Sequence, residues 1–452
     1  MLDILRQQLC DDLLAGTKWC VALSGGVDST ALLHALVQLA KEYNGNAIRA
    51  VHVNHHLHTD ADNWAGACQL LCDELNVPLT CCNVVVEMGS EDGLEAAARK
   101  MRYGALSSRL AAGEILLTAH HQDDQVETLL LRLLRGAGPH GLASIEPRRP
   151  YGKGWLVRPL LGMGRSGLET YAREKHLEWI EDPANTDTAF DRNFLRHRVL
   201  PVLRERWPGL SETIPRAARL SGEAARMLDE LAERDINVTD TNSEGSDTYT
   251  DRLPLDVLRD LPSPRQRNVV RYWLRQHGLA PPAEVKLRNG LEQLLSAGPD
   301  RMPLVAWGRI QMRRYRDHLY VLEFDPFPDD DSDQLVLPDT CDWDGCGRLD
   351  LGPLRGGLRF MRQDGAEVDV QMHWVVRFRS GGERFAVGGQ HKTIRNLFQE
   401  RGVVPWMRDH IPLLYRADQL VAVGDLWYAN DIGADDARNS VRVAWDGHPS
   451  IQ

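Results

Sequence analysis

The residues with the clearest chemical potential lie at 24–30, which read Ser-Gly-Gly-Val-Asp-Ser-Thr. An apolar run precedes them and an apolar, helix-like segment follows, so the pattern predicts a strand, a glycine turn and a helix. Adjacent glycines let the backbone approach an anion closely, and the helix start adds free N–H groups and a favourable dipole. Phosphates would repel Asp28 unless a metal such as Mg²⁺ lay between them. The segment therefore predicts a nucleotide site with its metal; a capped strand-to-helix turn is the structural alternative.

A second polar cluster, at 118–128, reads Thr-Ala-His-His-Gln-Asp-Asp-Gln-Val-Glu-Thr and also leads from a strand-like run into a helix-like one. Asp123, Asp124 and Glu127 would crowd near one strand end. Beside Asp28, such carboxylates could share a Mg²⁺ or accept a proton from a nucleophile. Helix capping by Asp123 or Asp124, with Glu127 in the first turn, is the alternative that needs no ligand.

The elements that must position these clusters alternate between strand-like and helix-like segments from residue 19 to residue 134. Such alternation predicts a doubly wound, mostly parallel sheet with helices on both faces. Ligands of these sheets bind at the carboxyl ends of the strands. We therefore expect residues 24–30, 52–58 and 118–127 to lie at the same edge of the sheet.

Alternation fades after about residue 185, where a helical stretch over 194–233 is expected to break at Pro201, Pro208 and Pro215. Polar loop composition at 237–248 and an acidic, proline-containing linker at 325–333 separate the later regions. The predicted architecture is an α/β catalytic domain, a small mainly helical middle domain with short strands near 310–322, and a small α+β C-terminal domain. Their expected bounds are 1–215, 216–328 and 340–452.

Composition describes a folded protein with an acidic surface: 452 residues, 43% hydrophobic, net charge −11. This charge disfavours nonspecific coating of nucleic acid. The span 192–219 is instead rich in arginine, which fits either a specific polyanion partner or a solvated helix face. The first residues carry acids and no long apolar run, so we expect a cytoplasmic protein without a membrane segment. Eight cysteines include no Cys-x-x-Cys pair, which favours buried thiols over a zinc ribbon.

Taken in order, several motifs resemble those of the tRNA(Ile)-lysidine synthetases, a family in the PP-loop ATP pyrophosphatase superfamily. In the first 200 or so residues they are 24–29, 53–57, 95–103, 119–128, 158–161, 182–187 and 192–196. Further on, residues 393–400, 404–408 and 412–415 resemble the family's C-terminal domain, whereas residues 220–340 contain no sharp motif and resemble the family only weakly.

The resemblance implies an enzyme that uses ATP to adenylate the C2 oxygen of cytidine 34 in tRNA(Ile) with a CAU anticodon. The ε-amine of free L-lysine then displaces AMP, and diphosphate is the other product. The resulting lysidine pairs with A, which switches decoding from AUG to AUA and charging from methionine to isoleucine. ATP and Mg²⁺ are the implied cofactors, and a homodimer is a possible assembly.

Carried onto this chain, the resemblance implies two groups of site residues. ATP would contact Ser24, Gly25, Gly26, Val27, Asp28, Ser29, Thr30, His52, Asn54, Arg99, Arg102 and His120. Catalysis would depend on Asp28, which also ligates the metal, and on Asp123, Asp124, Glu127, Arg192 and Arg196. Free lysine has a pKa near 10.4, so its attack needs a base. The sequence does not choose among the three carboxylates of the second cluster.

Other interpretations are weighed on specific residues. A tRNA thiolase of the same superfamily needs closely paired cysteines, whereas Cys68 and Cys72 fall in a predicted helix that suits packing. A non-catalytic RNA-binding protein could use the same scaffold, but Asp28 together with the second acidic motif favours turnover. Trp374 and Trp406 could stack on bases, although core positions are the favoured interpretation. For the tRNA acceptor arm, the expected contacts are Lys392, Arg395 and Arg401.

Overall fold

The computed structural model describes residues 1–9, 17–42, 47–85, 94–237, 252–298, 301–323, 340–352, 355–362, 364–387, 389–429 and 441–448. Two compact units, 1–228 and 229–452, make up the chain. Within the described ranges, no helix is long and apolar enough to cross a membrane. The predicted linker at 325–333 and the predicted loop beyond residue 237 lie outside these ranges.

The first unit is built on a six-stranded sheet in the order β3-β2-β1-β4-β6-β5. All neighbouring strands are parallel except β5, which runs antiparallel to β6. This confirms the predicted doubly wound, mostly parallel sheet. The strands are β1 Trp19–Ala22, β2 Ile48–Asn54, β3 Leu79–Asn83, β4 Ile115–Leu117, β5 Arg148–Tyr151 and β6 Gly154–Val157.

Helices cover the sheet, and the apolar helix that follows β1 is buried along most of its length. They are α1 Leu2–Gln8, α2 Val27–Glu42, α3 Ala61–Leu75, α4 Leu94–Ser108, α5 Gln122–Leu134, α6 Pro139–Leu142, α7 Arg165–Glu174, α8 Asp191–Phe194, α9 Leu200–Arg206 and α10 Leu210–Asn237. A 3₁₀ turn spans Pro183–Thr186, and a π-helical segment, Leu195–Val199, joins α8 to α9.

One predicted helix break is wrong. Pro201 lies in the first turn of α9 and Pro208 lies between α9 and α10, as expected. Pro215, however, lies inside α10. It follows the helix start closely, so the hydrogen bond that it cannot donate is lost near an end rather than in the middle of the helix.

The second unit starts within α10, and after this helix ends the unit packs helices on a four-stranded antiparallel sheet in the order β7-β10-β9-β8. This agrees with the expected helical region and short strands. The elements are β7 Arg252–Pro254, α11 Leu255–Arg259, α12 Ser263–Gln276, α13 Glu284–Ser296, β8 Leu304–Trp307, β9 Ile310–Tyr315 and β10 His318–Glu323.

In the described part of the remainder, small antiparallel sheets pack with the helix Ile394–Arg401, which confirms the α+β prediction. Trp374 is fully buried in this core, so it is not available to stack on a base. The elements are β11 Thr340–Trp343, β12 Leu349–Asp350, β13 Gly357–Arg362, β14 Trp374–Arg377, β15 Arg384–Val387, β16 Gln390–Thr393, α14 Ile394–Arg401, β17 Leu413–Arg416, β18 Gln419–Val423, β19 Trp427–Tyr428 and β20 Val441–Asp446.

Candidate active site

The candidate site lies where the strand order of the first unit reverses. From β1 the chain continues to β2 and β3 on one side and then returns to β4 on the other side of β1. Because β1, β2 and β4 are parallel, their carboxyl ends lie at the same edge of the sheet, and the segments that follow the three strands begin there. This confirms the predicted grouping of 24–30, 52–58 and 118–127. Such a switch point opens a crevice for a ligand.

The turn after β1 depends on Gly25, whose φ of +85° is a conformation that L side chains rarely adopt. Its carbonyl accepts a hydrogen bond of 2.9 Å from the backbone N–H of Ile180. A Cβ atom at position 25 would lie 2.4 Å from Cδ1 of Ile180 and 3.1 Å from Sγ of Cys68. The turn is therefore held against its neighbours and cannot hold a larger residue there without moving them.

Hydroxyl groups stabilise the same turn from inside. Ser29 Oγ accepts from the Ser24 N–H at 3.2 Å and lies 3.1 Å from the Gly26 carbonyl, to which it donates. Thr30 Oγ1 donates to the Gly25 carbonyl at 3.3 Å. Ser29 and Thr30 thus shape the turn, while Ser24 remains exposed. α2 begins immediately after it, so its first N–H groups face the crevice side of the turn.

The two carboxylate oxygens of Asp28 have different surroundings. Its Oδ2 lies 3.6 Å from Nε2 of His121, whereas its Oδ1 is buried without a hydrogen-bond partner in the described part of the chain. Buried polar atoms of this kind are rare unless a ligand or ion satisfies them. A carboxylate oxygen beside an anion-binding turn suits Mg²⁺, which typically takes one or two carboxylates and completes its shell with phosphates and water. Among the described residues, no group of three or more His, Cys, Asp or Glu side chains could by itself hold a metal ion.

His121 lies between carboxylates and is only 2% exposed. Besides Asp28, its ring nitrogens lie 3.5 Å from Asp124 Oδ2 and 3.7 Å from Asp123 Oδ2. Burial alone would lower the pKa of His121, but the adjacent carboxylate of Asp28 and the negative charges of Asp124 and Asp123 raise it. The sequence placed His121 in the cluster without a role; the structure makes it the residue that joins the two motifs.

Arg192 and Arg196, for which the resemblance implied a catalytic role, form ion pairs with the acidic motif. Glu127, fully buried, accepts from Arg192 Nε at 2.7 Å and from Arg196 Nε and Nη2 at 2.7 and 3.0 Å. Arg192 Nη2 also donates to Asp124 Oδ1 at 2.6 Å. Burial opposes the charged form of Asp124, but His121 and Arg192 hold its pKa below the ordinary value. These pairs form one network of charge-assisted hydrogen bonds.

Asp123 is held separately, by the backbone N–H of Arg165 at 2.9 Å and by the side chain of Arg204. Arg196 lies in the π-helical segment 195–199 and Arg204 in the helix that follows it, and such π-helical segments are often found at functional sites. Part of the arginine-rich span therefore pairs with the acidic motif. The sequence had suggested either a polyanion-binding surface or a solvated helix face for this span, and these arginines form neither. Arg204 could have been suspected from that span; Ile180 carried no signal in the sequence.

The remaining predicted nucleotide contacts line the strand ends. His52 is buried and its Nδ1 lies 2.9 Å from the Leu23 carbonyl; burial lowers its pKa. Asn54 donates to Asp62 Oδ1 and accepts from the His56 N–H, both at 2.9 Å, so it shapes the loop after β2.

Three further predicted contacts lie at β4 and α4. His120 pairs with Thr118 Oγ1 at 2.9 Å, and burial keeps its pKa well below the ordinary value. Arg99 and Arg102 lie on α4 with their guanidinium groups 5.0 and 5.8 Å from the Tyr103 ring. Their cationic groups are thus supported by an aromatic face.

The glycine turn at the switch point and Asp28 lie in the part of the chain, residues 4–203, that the family model described as the PP-loop domain matches, so the first unit holds an ATP-using PP-loop domain. Models described as the TilS substrate binding domain and the TilS substrate C-terminal domain match 253–320 and 375–445. Curated relatives span nearly the whole chain. The tRNA(Ile)-lysidine synthase of Alkalilimnicola ehrlichii is 42% identical over 90% of this chain and 89% of the relative. The tRNA(Ile)-lysidine synthase of Coxiella burnetii is 37% identical over 91% of this chain and 89% of the relative. That of Xanthomonas campestris is 41% identical over 90% of this chain and 89% of the relative.

The chain therefore belongs to the tRNA(Ile)-lysidine synthase family, and it is a PP-loop ligase. The thiolase alternative is not favoured by these relatives, and the thiols agree. Cys68 and Cys72 are buried on α3, and burial raises the pKa of their thiols to about 12 and about 11. Sulfur transfer uses the thiolate, which these positions disfavour.

Proposed function

We propose that this chain ligates L-lysine to C2 of cytidine 34 in tRNA(Ile) with a CAU anticodon, consuming ATP and releasing AMP and diphosphate. The observation that supports this most strongly is the approach of Asp28 Oδ2 to His121 Nε2 at 3.6 Å. It brings the glycine turn, which suits phosphate, next to the carboxylates, which suit a cationic substrate. Relatives of nearly full length carry the same name.

In the first step the C2 oxygen of the cytidine attacks the α-phosphorus of ATP, and the bond from that phosphorus to diphosphate breaks. The leaving diphosphate needs positive charge and N–H donors. Residues 24–30 with the start of α2 are the proposed cradle, and Gly26, whose Cβ position meets only Ser24 Oγ at 3.7 Å, allows its backbone to approach the phosphates. Mg²⁺ held by the unpaired Oδ1 of Asp28 would neutralise phosphate charge when it is bound.

In the second step the ε-amine of lysine attacks C2, the bond from C2 to the adenylated oxygen breaks, and AMP leaves. The amine must first lose a proton to a base. Asp123 and Asp124 keep 16% and 12% of their side-chain surface exposed, while Glu127 keeps none. We therefore propose that Asp123 and Asp124 bind the lysine ammonium and accept its proton. Glu127 is proposed to position Arg192 and Arg196.

Recognition of the tRNA is proposed for three regions. Arg198, Arg206 and Arg216 are exposed on the segment that carries the catalytic arginines, where they suit the phosphates of an anticodon stem. We further propose the middle domain, 216–328, and the C-terminal domain, 340–452, as the other tRNA-binding regions, with 1–215 as the catalytic domain.

The C-terminal domain offers a polar groove of about 550 Å³ for this purpose. Arg379, Arg395 and Asn396 are among its lining residues. Lys392 is paired with Glu400 at 2.8 Å, so Arg395 is the better candidate for contact with the acceptor arm. We propose the cytoplasm, where ATP, free lysine and tRNA meet, as the site of action; a homodimer stays a prediction.

The experiment follows nucleotide products. Purified protein is incubated with ATP, Mg²⁺ and tRNA(Ile) bearing CAU, with and without lysine, and AMP, ADP and diphosphate are separated. We expect equal amounts of AMP and diphosphate, dependent on the tRNA. Release of ADP and phosphate would contradict a PP-loop ligase, and AMP formation that is independent of tRNA would remove the cytidine as the attacking group.

A further inference from the structure

The motif at 404–408 in the C-terminal domain contacts the β9–β10 hairpin of the middle domain; both belong to the second unit. Ring centroids of Tyr320 and Tyr315 lie 5.3 and 6.3 Å from that of Trp406, with the rings edge to face. The guanidinium of Arg313 lies 5.3 Å from the Trp406 ring. Two aromatic contacts and one cation–π contact thus converge on a single indole.

Hydrogen bonds join the same two elements. Arg408 Nη2 donates to Tyr315 Oη at 3.1 Å, and Arg316 Nη2 donates to the Gln399 carbonyl at 2.6 Å. Gly402, at φ +82°, ends α14 beside this bond, and a Cβ atom there would lie 2.8 Å from Nη1 of Arg316. The close approach of Arg316 to the backbone therefore depends on glycine at that position.

The contact between residues 404–408 and the β9–β10 hairpin is buried and not confined to the protein surface. Tyr320 is only 4% exposed and belongs to the hydrophobic core of the C-terminal domain, although it lies on a strand of the middle sheet. Trp406 packs against the same core, and its Nε1 is buried. The indole therefore lies inside this interface and is not presented for base stacking.

We propose that Trp406 and Arg316 are positioning residues that join the middle and C-terminal domains into one tRNA-binding body. We call the set Arg313, Tyr315, Arg316, Tyr320 and Trp406 the hairpin contact. Two linked binding modules bind one ligand more tightly when their separation is fixed to match it. This inference rests on the proposed function for its tRNA part, whereas the joining of the two domains does not.

The test compares the full-length double variant Arg313→Ala/Arg316→Ala with wild type. Arg377→Ala is the matched control, because Arg377 lies 4.7 Å from the Tyr415 ring within the C-terminal domain and plays no part in the hairpin contact. The first readout is hydrogen exchange of backbone amides at 399–408. The second is steady-state kinetics with tRNA(Ile).

We expect amides at 399–408 to exchange faster in the double variant and not in the control, although both changed side chains lie in the middle domain. We expect KM for tRNA to rise about tenfold with kcat unchanged, because binding loses effective concentration while chemistry does not change. Unchanged exchange at 399–408 would overturn the joining of the domains. Faster exchange with unchanged KM, or a fall in kcat alone, would overturn the positioning role. If wild type itself makes no lysidine, the proposed function fails, and the exchange result still decides whether the contact joins the domains.

Discussion

Asp28 and His121 meet across the switch point of the sheet, with 3.6 Å between Oδ2 and Nε2. The other carboxylate oxygen of Asp28 is buried without a partner among the described residues. This pairing links the glycine turn to the acidic motif and explains why both motifs are needed in one site.

Asp28→Asn keeps the shape of the side chain but removes its charge. We expect tRNA-dependent formation of AMP to fall by more than about 100-fold, because the amide would no longer hold the Mg²⁺ that would neutralise charge at the reacting phosphate. The far-UV circular dichroism spectrum should not change. Asp191→Asn, at an exposed ion pair with Arg135, is the control and should keep wild-type turnover. Wild-type activity in Asp28→Asn would remove this carboxylate from the mechanism.

Arg196→Ala leaves the buried Glu127 with Arg192 alone. We expect the free energy of unfolding to drop by about 2 kcal/mol, because one partner of a buried ion pair is lost. We also expect lower kcat, since Glu127 and Arg192 lose their orientation. Urea unfolding and steady-state kinetics measure the two effects. A loss of stability with unchanged kcat would make Arg196 purely structural.

Gly25→Ala and Gly26→Ala distinguish the two reasons for glycine in the turn, which are the positive φ angle at position 25 and the space for phosphate beside position 26. Gly25 has positive φ and no room beside Ile180, so alanine there should destabilise the fold by about 2 kcal/mol or more. A Cβ atom at Gly26 meets only Ser24 Oγ, at 3.7 Å. Gly26→Ala should therefore keep the melting temperature but weaken ATP binding, since its methyl group enters the phosphate cradle. Equal melting temperatures for both variants would contradict the strain argument.

Glu114 should make the stability of the first unit depend on pH. This buried carboxylate, next to the start of β4, accepts from Arg49 Nε at 2.7 Å and from Nη2 at 2.6 Å. Burial opposes its charge, but Arg49 and the Ala111 N–H hold the pKa of Glu114 below its ordinary value. A lowered folded-state pKa gives stability that is present above the unfolded value, near 4.3, and is lost as pH falls through the folded pKa.

We therefore expect Glu114→Gln to cost about 2 kcal/mol at pH 7 and progressively less as the pH falls below about 4. Urea unfolding across this range measures the difference. Glu223→Gln, at an exposed pair with Arg219, should cost little at any pH. A cost for Glu114→Gln that does not change with pH would show that shape, and not charge, is what the site needs.

Local sequence patterns predicted the sheet, the glycine turn and the acidic motif, because strand–helix alternation and turn formation depend mainly on residues that are close together in the sequence. The pairing of Arg192 and Arg196 with Glu127 could not be predicted, since a π-helical segment and long-range folding decide which way those side chains point. The continuation of α10 through Pro215 depends on where the helix begins, because the proline lies close to that end, and the sequence did not predict a helix start at Leu210. Trp406 shows the same limit: its motif is visible in the sequence, but its contact with the β9–β10 hairpin depends on strands far away in the chain.

The central claim is tested most directly by the fate of lysine. Wild-type protein is incubated with ATP, Mg²⁺, labelled lysine and either tRNA(Ile) bearing CAU or tRNA(Met), and label that survives mild alkaline deacylation is counted. We predict stable label on tRNA(Ile) alone, recovered as a modified cytidine after digestion. ATP cleavage to AMP with no stable label on either tRNA would contradict lysine as the nucleophile.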